Sequence, residues 1–375
     1  MKVYDTIVIG GGASGLVACG NLKGSTLLIE AQDRVGKKIL ATGNGRCNLS
    51  NENLSGEFYS SPRFFDEIFG ANRTIVADYF SRLGLLVKPD KSGRLYPYTM
   101  QASTVLDILR YAVKCEVLLS TRVLDIVKKA DVYNVITDKG EYYSTNVIVS
   151  TGGGKVATKL LTTTAFSPSL CPVKTDTSRI KGLDGIRVQC GLNLIKDGAS
   201  VYSEFGEVLF RTYGVSGVAV FNASSYIARS VVKGQNPKWQ ISLDLVSDND
   251  IDTVKTIITN RLAGNVEKDK LLLGIVPNKV AQCLLKDIVK LSVDNVMSVL
   301  LDYRLDVKSL YNDNYQVTSG GVSLDSIDAE FQSKIHKGMF VTGEALDMDG
   351  LCGGYNLHWA FMSGLIASGA INSKL

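Results

Sequence analysis

The first thirty residues constrain the fold more than any other stretch. The apolar run Thr6-Ile7-Val8-Ile9 meets the glycine-rich turn Gly10-Gly11-Gly12-Ala13-Ser14-Gly15, residues 16–22 have helical spacing, and a second apolar run, Thr26-Leu27-Leu28-Ile29, ends on Glu30. This is a strand–turn–helix–strand unit carrying G-x-G-x-x-G, with an acid twenty residues beyond Gly10. Gly10 permits the tight turn, Gly12 lets a pyrophosphate approach the backbone, and Gly15 lets helix and strand pack closely. The helix N-terminus offers N–H groups and a positive dipole end to the phosphates. Glu30 is placed to accept hydrogen bonds from ribose hydroxyls. A glycine-rich structural turn without a ligand is the alternative, and the complete unit weighs against it.

At 375 residues the chain is too long for one ordinary core, so a layered nucleotide domain with insertions is expected. Its 41 basic and 37 acidic residues are spread along the chain with no Lys/Arg block, which gives a nucleic-acid role little support. The seven cysteines are scattered, with no CxxC pair and no Cys/His cluster at metal-ligand spacing. That pattern argues against a disulfide scaffold and against a bound metal, and points to a reducing cytoplasm. The apolar N-terminus is broken by glycines and closed by Glu30, unlike a signal peptide, and the apolar stretch 359–371 is short for a membrane helix. The expectation is a soluble protein that acts on a small molecule, with its oligomeric state open.

Further along, 63–84 and 104–114 have helical spacing, and short alternating segments at 116–120, 123–128, 133–137 and 141–143 precede the apolar strand 147–150. A β-meander feeding back into a parallel sheet accounts for that order. Residues 168–245 read as strand-rich with glycine turns, 248–301 as helical, and the last segment as a strand at 339–342, a glycine-rich loop and a helix from about Asn356.

The dinucleotide fingerprint serves both NAD and FAD. Two later segments favour FAD: the strand ending at Thr151-Gly152-Gly153, and the strand ending Phe340-Val341-Thr342-Gly343-Glu344. In flavoproteins of the glutathione-reductase-like class, equivalent strands bring glycines to the cofactor and the second acid meets the ribityl chain. A helix starting near Tyr355-Asn356 would aim its N-terminus at the flavin, where reduction puts negative charge.

Several segments together resemble one family. These are Lys37-Lys38-Ile39-Leu40-Ala41-Thr42-Gly43-Asn44-Gly45-Arg46-Cys47-Asn48, Gly93-Arg94-Leu95-Tyr96-Pro97, Gly206-Glu207-Val208-Leu209-Phe210, Gln316-Val317-Thr318-Ser319-Gly320-Gly321-Val322, and Gly343-Glu344-Ala345-Leu346-Asp347 through Gly353-Gly354-Tyr355-Asn356-Leu357. In unbroken order along the chain, they resemble the BaiN-like (YhiN-type) FAD-binding proteins, which include aminoacetone-oxidase-like flavoproteins. The resemblance implies an α/β fold: a Rossmann-type, glutathione-reductase-like FAD-binding domain (1–160 and 312–375), an inserted β-rich substrate domain (161–245 and 302–311), and a small helical insertion (246–301). It also implies that loops 42–48 and 350–356 lie close to the flavin. Members of the family are associated with reduction of steroid-like enones or with oxidation of small amines. The chain departs from the family pattern after Gly153, where the connection to Pro168 is visibly shorter, and at His358, where relatives commonly carry Gln.

The expected cofactor contacts are Gly10, Gly12, Ala13, Ser14, Gly15, Glu30 and Ala31; Lys38, Thr42, Gly43, Asn44, Gly45, Arg46, Cys47 and Asn48; Val123; Thr151, Gly152 and Gly153; and Gly343, Glu344, Gly353, Gly354, Tyr355 and Asn356. His358 and Tyr355 are the candidates for catalysis, each with packing as the alternative. Cys47 reads as a redox thiol or a buried loop residue, and Arg46 as a phosphate partner or a brace for its loop. The resulting expectation is an FAD-dependent oxidoreductase that reduces a small apolar or amphipathic substrate, with NAD(P)H as a transient electron donor. An amine oxidase using oxygen and a non-catalytic flavin-binding regulatory protein are the alternatives.

Overall fold

In the computed structural model, which describes residues 2–154 and 158–375, the first apolar run belongs to strand β1 (Val3–Ile9), whose Ile7, Val8 and Ile9 are buried. Residues 155–157, in the connection read as shortened, lie outside the described residues. The chain divides into two units, Met1–Phe166 with Val317–Leu375, and Ser167–Gln316.

In the first unit, β1 leads into helix α1 (Ala13–Asn21) and strand β2 (Thr26–Ile29), which pairs parallel to β1 from Thr6 opposite Thr26 to Ile9 opposite Ile29. A small antiparallel sheet follows, from β3 (Ser50–Asn51), β4 (Val87–Pro89) and β5 (Arg94–Pro97), with helices α2 (Pro62–Ala71) and α3 (Ile75–Arg82) between its first two strands. The helical stretch expected at 63–84 is thus two helices. Asn72 ends the first by turning its side-chain amide onto the Ile68 carbonyl at 2.8 Å, a local bond that competes with continued helix. Helix α4 (Ala102–Ala112) then returns the chain to β6 (Glu116–Leu118), parallel to β2.

Strands β7 (Val123–Lys129), β8 (Val132–Thr137) and β9 (Gly140–Val149) form the meander, and β9 runs on to pair parallel to β1. The sequence reads β9 as two segments because Ser144, Thr145 and Asn146 interrupt its apolar pattern. Their polarity is satisfied in place: the Ser144 hydroxyl donates to the Asn146 carbonyl at 2.8 Å, and the Asn146 amide to the Asp5 carbonyl at 3.0 Å.

The second unit contains β10 (Ser167–Ser169), β11 (Val173–Thr175), β12 (Arg187–Lys196), β13 (Ala199–Arg211), β14 (Gly214–Ser216), helix α5 (Val218–Val232), β15 (Trp239–Asp244), helices α6 (Ile251–Ala263), α7 (Asn278–Lys286) and α8 (Val293–Leu301), and β16 (Tyr303–Leu310). Six of these strands close a barrel in the order β11-β14-β13-β12-β15-β16. Barrel residues such as Leu192, Leu243 and Leu305 share one apolar cluster with Val254, Leu284 and Val296 of the helices. Helix α5 falls where the sequence reads as strand-rich, because its valines mimic a strand. Its buried face is mostly small, with Ala219, Ala223 and Ala228 among it, which allows close packing on β13.

Back in the first unit come β17 (Val317–Ser319), β18 (Met339–Val341), parallel to β9, and helix α9 (Tyr355–Asn372). The parallel strands therefore run β6-β2-β1-β9-β18, and β1 has β2 on one side and β9 on the other. Its carboxyl end, at Gly10, is the topological switch point, where open α/β sheets bind ligands. Among the described residues no helix is long and apolar enough to cross a membrane. Instead α9 buries its apolar surface within the unit, against α1 and α3.

Two glycines of α9 predict opposite effects of one substitution. A Cβ on Gly364 would lie 2.4 Å from the Ser14 carbonyl oxygen of α1, whereas one on Gly369 would meet nothing within 4 Å. Gly364→Ala should lower stability by about 1–3 kcal/mol through overpacking. Gly369→Ala should raise it by about 0.5–1 kcal/mol through helix propensity. Melting temperatures measured side by side check the sign of each.

Candidate functional site

The turn after β1 is built by close backbone contacts. Gly10 takes φ +102°, and a Cβ there would sit 2.4 Å from the Ser150 carbonyl oxygen; one on Gly15 would sit 1.9 Å from the Gly10 carbonyl oxygen. Neither position tolerates a side chain, so α1 starts directly against the strand ends. The Ser150 hydroxyl, within reach of the Ile9 and Gly10 carbonyls at 3.0 and 3.1 Å, braces the same turn. Gly12 is different: it is the N-cap of α1, has an ordinary negative φ of −83°, and a Cβ on it would meet nothing within 4 Å. No side chain caps the helix there. The first N–H groups of α1 are therefore left without a side-chain acceptor, as an anion site at a helix terminus requires. Ala13 opens the helix half-buried, and Ser14 is buried where α1 meets α9.

Glu30 is held by the backbone on both carboxylate oxygens. Oε2 accepts from Gly11 N–H at 2.7 Å and Oε1 from Gln32 N–H at 2.7 Å. A carboxylate has about four lone-pair positions, so acceptor capacity remains for ribose hydroxyls. Ala31 beside it is exposed.

A second cluster gathers residues far apart in sequence. Glu344 accepts from Thr318 N–H at 2.8 Å, and its other oxygen lies 3.9 Å from Lys38 Nζ. Gly152 and Gly153 are in the same place: a Cβ on Gly152 would come within 3.6 Å of both Glu344 Oε2 and Lys38 Nζ, and one on Gly153 within 2.6 Å of Glu344 Oε1. Thr151 is exposed at the end of β9, and Val123 opens β7 half-buried. Gly343 takes φ +65°, and a Cβ there would approach Ser14 Oγ at 2.8 Å, so the two clusters adjoin.

The loop 42–48 is a tight left-handed turn, with positive φ at Gly43, Asn44, Gly45 and Cys47. The Cys47 N–H and Gly45 N–H both return to the Thr42 carbonyl, at 2.9 and 3.1 Å. Cys47 is buried and its thiol is pushed up to about 11 by burial, the character of an inert packing thiol. Arg46 is exposed, donates from Nε to the Gly43 carbonyl at 3.3 Å and lies over the Tyr96 ring.

This loop is tied to the start of α9. The Asn48 amide donates to the Ser50 carbonyl and accepts from Gly354 N–H, both at 3.0 Å. Asn51 donates to the Gly353 carbonyl at 2.9 Å, and Asn356 closes the next turn with bonds to both backbone groups of Gly350. Gly354, the N-cap of α9, takes φ +96° and has no side-chain cap. A second uncapped helix N-terminus is thus presented in the same unit.

The two candidate catalytic side chains sit on the first turns of α9. Tyr355 is buried, stacked on Phe58 with ring centroids 4.5 Å apart, and its hydroxyl is pushed up to about 12 by burial. His358 is buried, its Nδ1 2.9 Å from the Ser50 hydroxyl and its Nε2 without a hydrogen-bond partner. Thr318, Ser150, Ser50 and Asn51 were not expected among the site residues. Thr318 and Ser150 adjoin segments the sequence marks, but nothing in their own residue types sets them apart.

An FAD fits these groups: an open anion site at α1, a positioned acid at Glu30, a polar cluster at Glu344, and an uncapped terminus at α9.

The chain matches the family model described as HI0933-like protein Rossmann domain over residues 4–370. Among curated proteins it is similar to the 3-dehydro-bile acid delta(4,6)-reductase of Clostridium scindens, 28% identical over 97% of this chain and 98% of that protein. It is also similar to the ribosomal RNA dihydrouridine synthase of Escherichia coli, 25% identical over 97% of this chain and 96% of the relative. Among solved structures, the 3-ketosteroid delta1-dehydrogenase of Sterolibacterium denitrificans, in complex with 1,4-androstadiene-3,17-dione, aligns over all of both chains with TM-score 0.50 and 10% identity, a likeness of fold.

The burial of His358 has a measurable consequence. Burial lowers its pKa from 6.5 to about 4, so the unfolded chain binds a proton that the folded chain refuses between those values. The contribution to stability is complete above pH 6.5 and is lost as the pH falls towards about 4. The loss amounts to at most about 1.4 kcal/mol per pH unit. Melting of the native protein should steepen with acid across that window, and His358→Gln should flatten the profile; unchanged slopes would acquit the imidazole.

Proposed function

The chain belongs to the HI0933-like family and is an FAD-dependent oxidoreductase, and from that premise we propose that it reduces a carbon–carbon double bond conjugated to a carbonyl in a small amphipathic molecule, with NAD(P)H as electron donor. The observation that carries the cofactor reading is Gly12, an uncapped helix start with open space where a side chain would begin. The pyrophosphate would take the first N–H groups of α1, and Glu30 the adenosine ribose. Glu344, with Thr318 and Lys38 around it, would hold the ribityl chain, and the N-terminus of α9 would face the flavin ring. Bound there, FAD supplies the hydride chemistry, and the chain's part is to bind, orient and exclude water.

The reaction is supported by the relative in C. scindens, whose name is that of a bile-acid reductase and whose likeness spans the chain. Reducing such a bond places a hydride on one carbon and a proton on the other. Of the two candidates on α9, Tyr355 suits the proton better, because a phenol carries its proton at neutral pH whereas burial keeps the His358 imidazole uncharged there. His358 keeps its place as the partner of Ser50. A second reading, favoured by the E. coli relative, is a uridine in RNA, whose ring also carries a double bond conjugated to a carbonyl.

Two measurements test this. Purified protein should be yellow, whereas Gly12→Val should fold with an unchanged circular dichroism spectrum yet lose the flavin absorbance; full FAD in that variant would displace the phosphate from α1. In anaerobic stopped flow, NADPH or NADH should bleach the flavin and a 4-ene-3-oxosteroid should restore its colour. Recovery only with a uridine-containing RNA selects the second reading, and bleaching by amines with peroxide release makes the protein an oxidase. Tyr355→Phe should keep FAD and slow the reoxidation step by at least about tenfold.

A further inference from the structure

Gly343 is gripped through both of its backbone polar groups by one face of α9. Its N–H donates to the Ser363 hydroxyl oxygen at 2.8 Å, and its carbonyl accepts from Trp359 Nε1 at 3.1 Å. Trp359 and Ser363 are four residues apart on the helix, so they stand one above the other on the same side of it. The Ser363 hydroxyl donates its own proton within α9, to the Trp359 carbonyl at 2.7 Å, and so meets Gly343 as an acceptor. The Gly343 carbonyl takes a second bond from Leu346 N–H at 3.2 Å, which occupies both of its lone pairs.

The indole is held as firmly as the backbone it grips. Trp359 is 1% exposed, with Phe331 edge-on at 5.3 Å and Phe64 and Phe65 at 6.3 and 6.4 Å between ring centroids. A buried indole N–H must find an acceptor, and the packing aims this one at Gly343. On another side of Gly343, a Cβ added to it would lie 2.8 Å from Ser14 Oγ of α1. The strand leading in is anchored as well, since Thr342 N–H donates to the Val149 carbonyl at 2.9 Å.

These bonds act on a residue with little conformational preference of its own. Gly343 takes φ +65°, and a glycine populates other regions about as readily. Fixing the N–H before its Cα and the carbonyl after it leaves only φ and ψ of Gly343 between two held points, so the left-handed turn is set. Glu344 is the next residue, and the direction of its side chain follows from that turn. Its carboxylate accepts from Thr318 N–H at 2.8 Å and stands 3.9 Å from Lys38 Nζ.

We propose that Ser363 and Trp359 are positioning residues for FAD, which fix the Gly343 backbone and through it the Glu344 carboxylate that meets the ribityl chain. The inference rests on the reading of Glu344 as the ribityl partner. It gives α9 a second part in the cofactor site, played by buried side chains beyond its first turn. A carboxylate already held in place loses little freedom when the ligand arrives, so loosening it appears mainly as faster release.

The test follows FAD leaving the native holoprotein and its variants on dilution, read by flavin fluorescence, in a double-mutant cycle of Ser363→Ala with Glu344→Ala. Ser363→Ala strands the Gly343 N–H in the interior and should speed release at least about tenfold. Glu344→Ala should speed it comparably, and the double variant should exceed the faster single one by no more than about twofold. Trp359→Phe keeps an aromatic ring among the same neighbours and leaves the Gly343 carbonyl to Leu346, so release should quicken about threefold. Crossed with Glu344→Ala in the same way, it carries the test should Ser363→Ala fail to fold. An acceleration of equal factor with and without Glu344 would make the grip a general packing tie and overturn the proposal, as would native release in both α9 variants. Native release in Glu344→Ala overturns instead the ribityl assignment on which the inference rests.

Discussion

The contact on which the site depends is the approach of α1 to the ends of β1 and β9. Gly15 faces the Gly10 carbonyl and Gly10 faces the Ser150 carbonyl at separations no side chain could share. Because those positions are bare, the helix begins right at the strand terminus and its unpaired N–H groups point where the parallel sheet opens. The same economy recurs one layer out. Gly364 lets α9 rest on the Ser14 carbonyl, which brings the start of the last helix into register with the first. Three glycines thus set the positions of two helix termini, and those termini define the charge preference of the site.

Around that frame, side chains act mainly as fasteners. Asn48 and Asn51 tie the left-handed loop to Gly353 and Gly354, and Glu30 spends one bond on each of two backbone amides while keeping acceptor capacity. Cys47 and Arg46, which the sequence leaves between chemistry and support, are placed differently by the loop: Cys47 is buried with its thiol pushed up to about 11, whereas Arg46 is exposed and bonds the Gly43 carbonyl through Nε. The polar work around the turn is structural preorganisation, as expected where a cofactor supplies the reactive atoms.

Much of the architecture is legible in residue order. Periodicity marks β1, α1 and β2, and the meander of β7, β8 and β9 follows from the alternating segments. The misreadings have local causes. Helix α5 carries valines and serines that weaken its helical signature, and β9 hides its continuity behind Ser144, Thr145 and Asn146, which are satisfied only by partners the fold supplies. Thr318 is a comparable case, since a backbone N–H has no sequence signature and joins Glu344 only through the return of β17 to the first unit.

By itself the sequence determined the nucleotide turn, because a glycine at a tight approach and an acid at the end of the next strand are requirements of residue type, readable at fixed spacing. It also determined the family, through several short segments in one order. Tertiary structure alone decided which of the remaining polar groups are in play. His358 is held neutral by burial against Ser50, and Lys38, Gly152, Thr318 and Glu344 become neighbours only on folding. Burial and long-range contact are properties of the packed chain, so local sequence patterns carry no record of them.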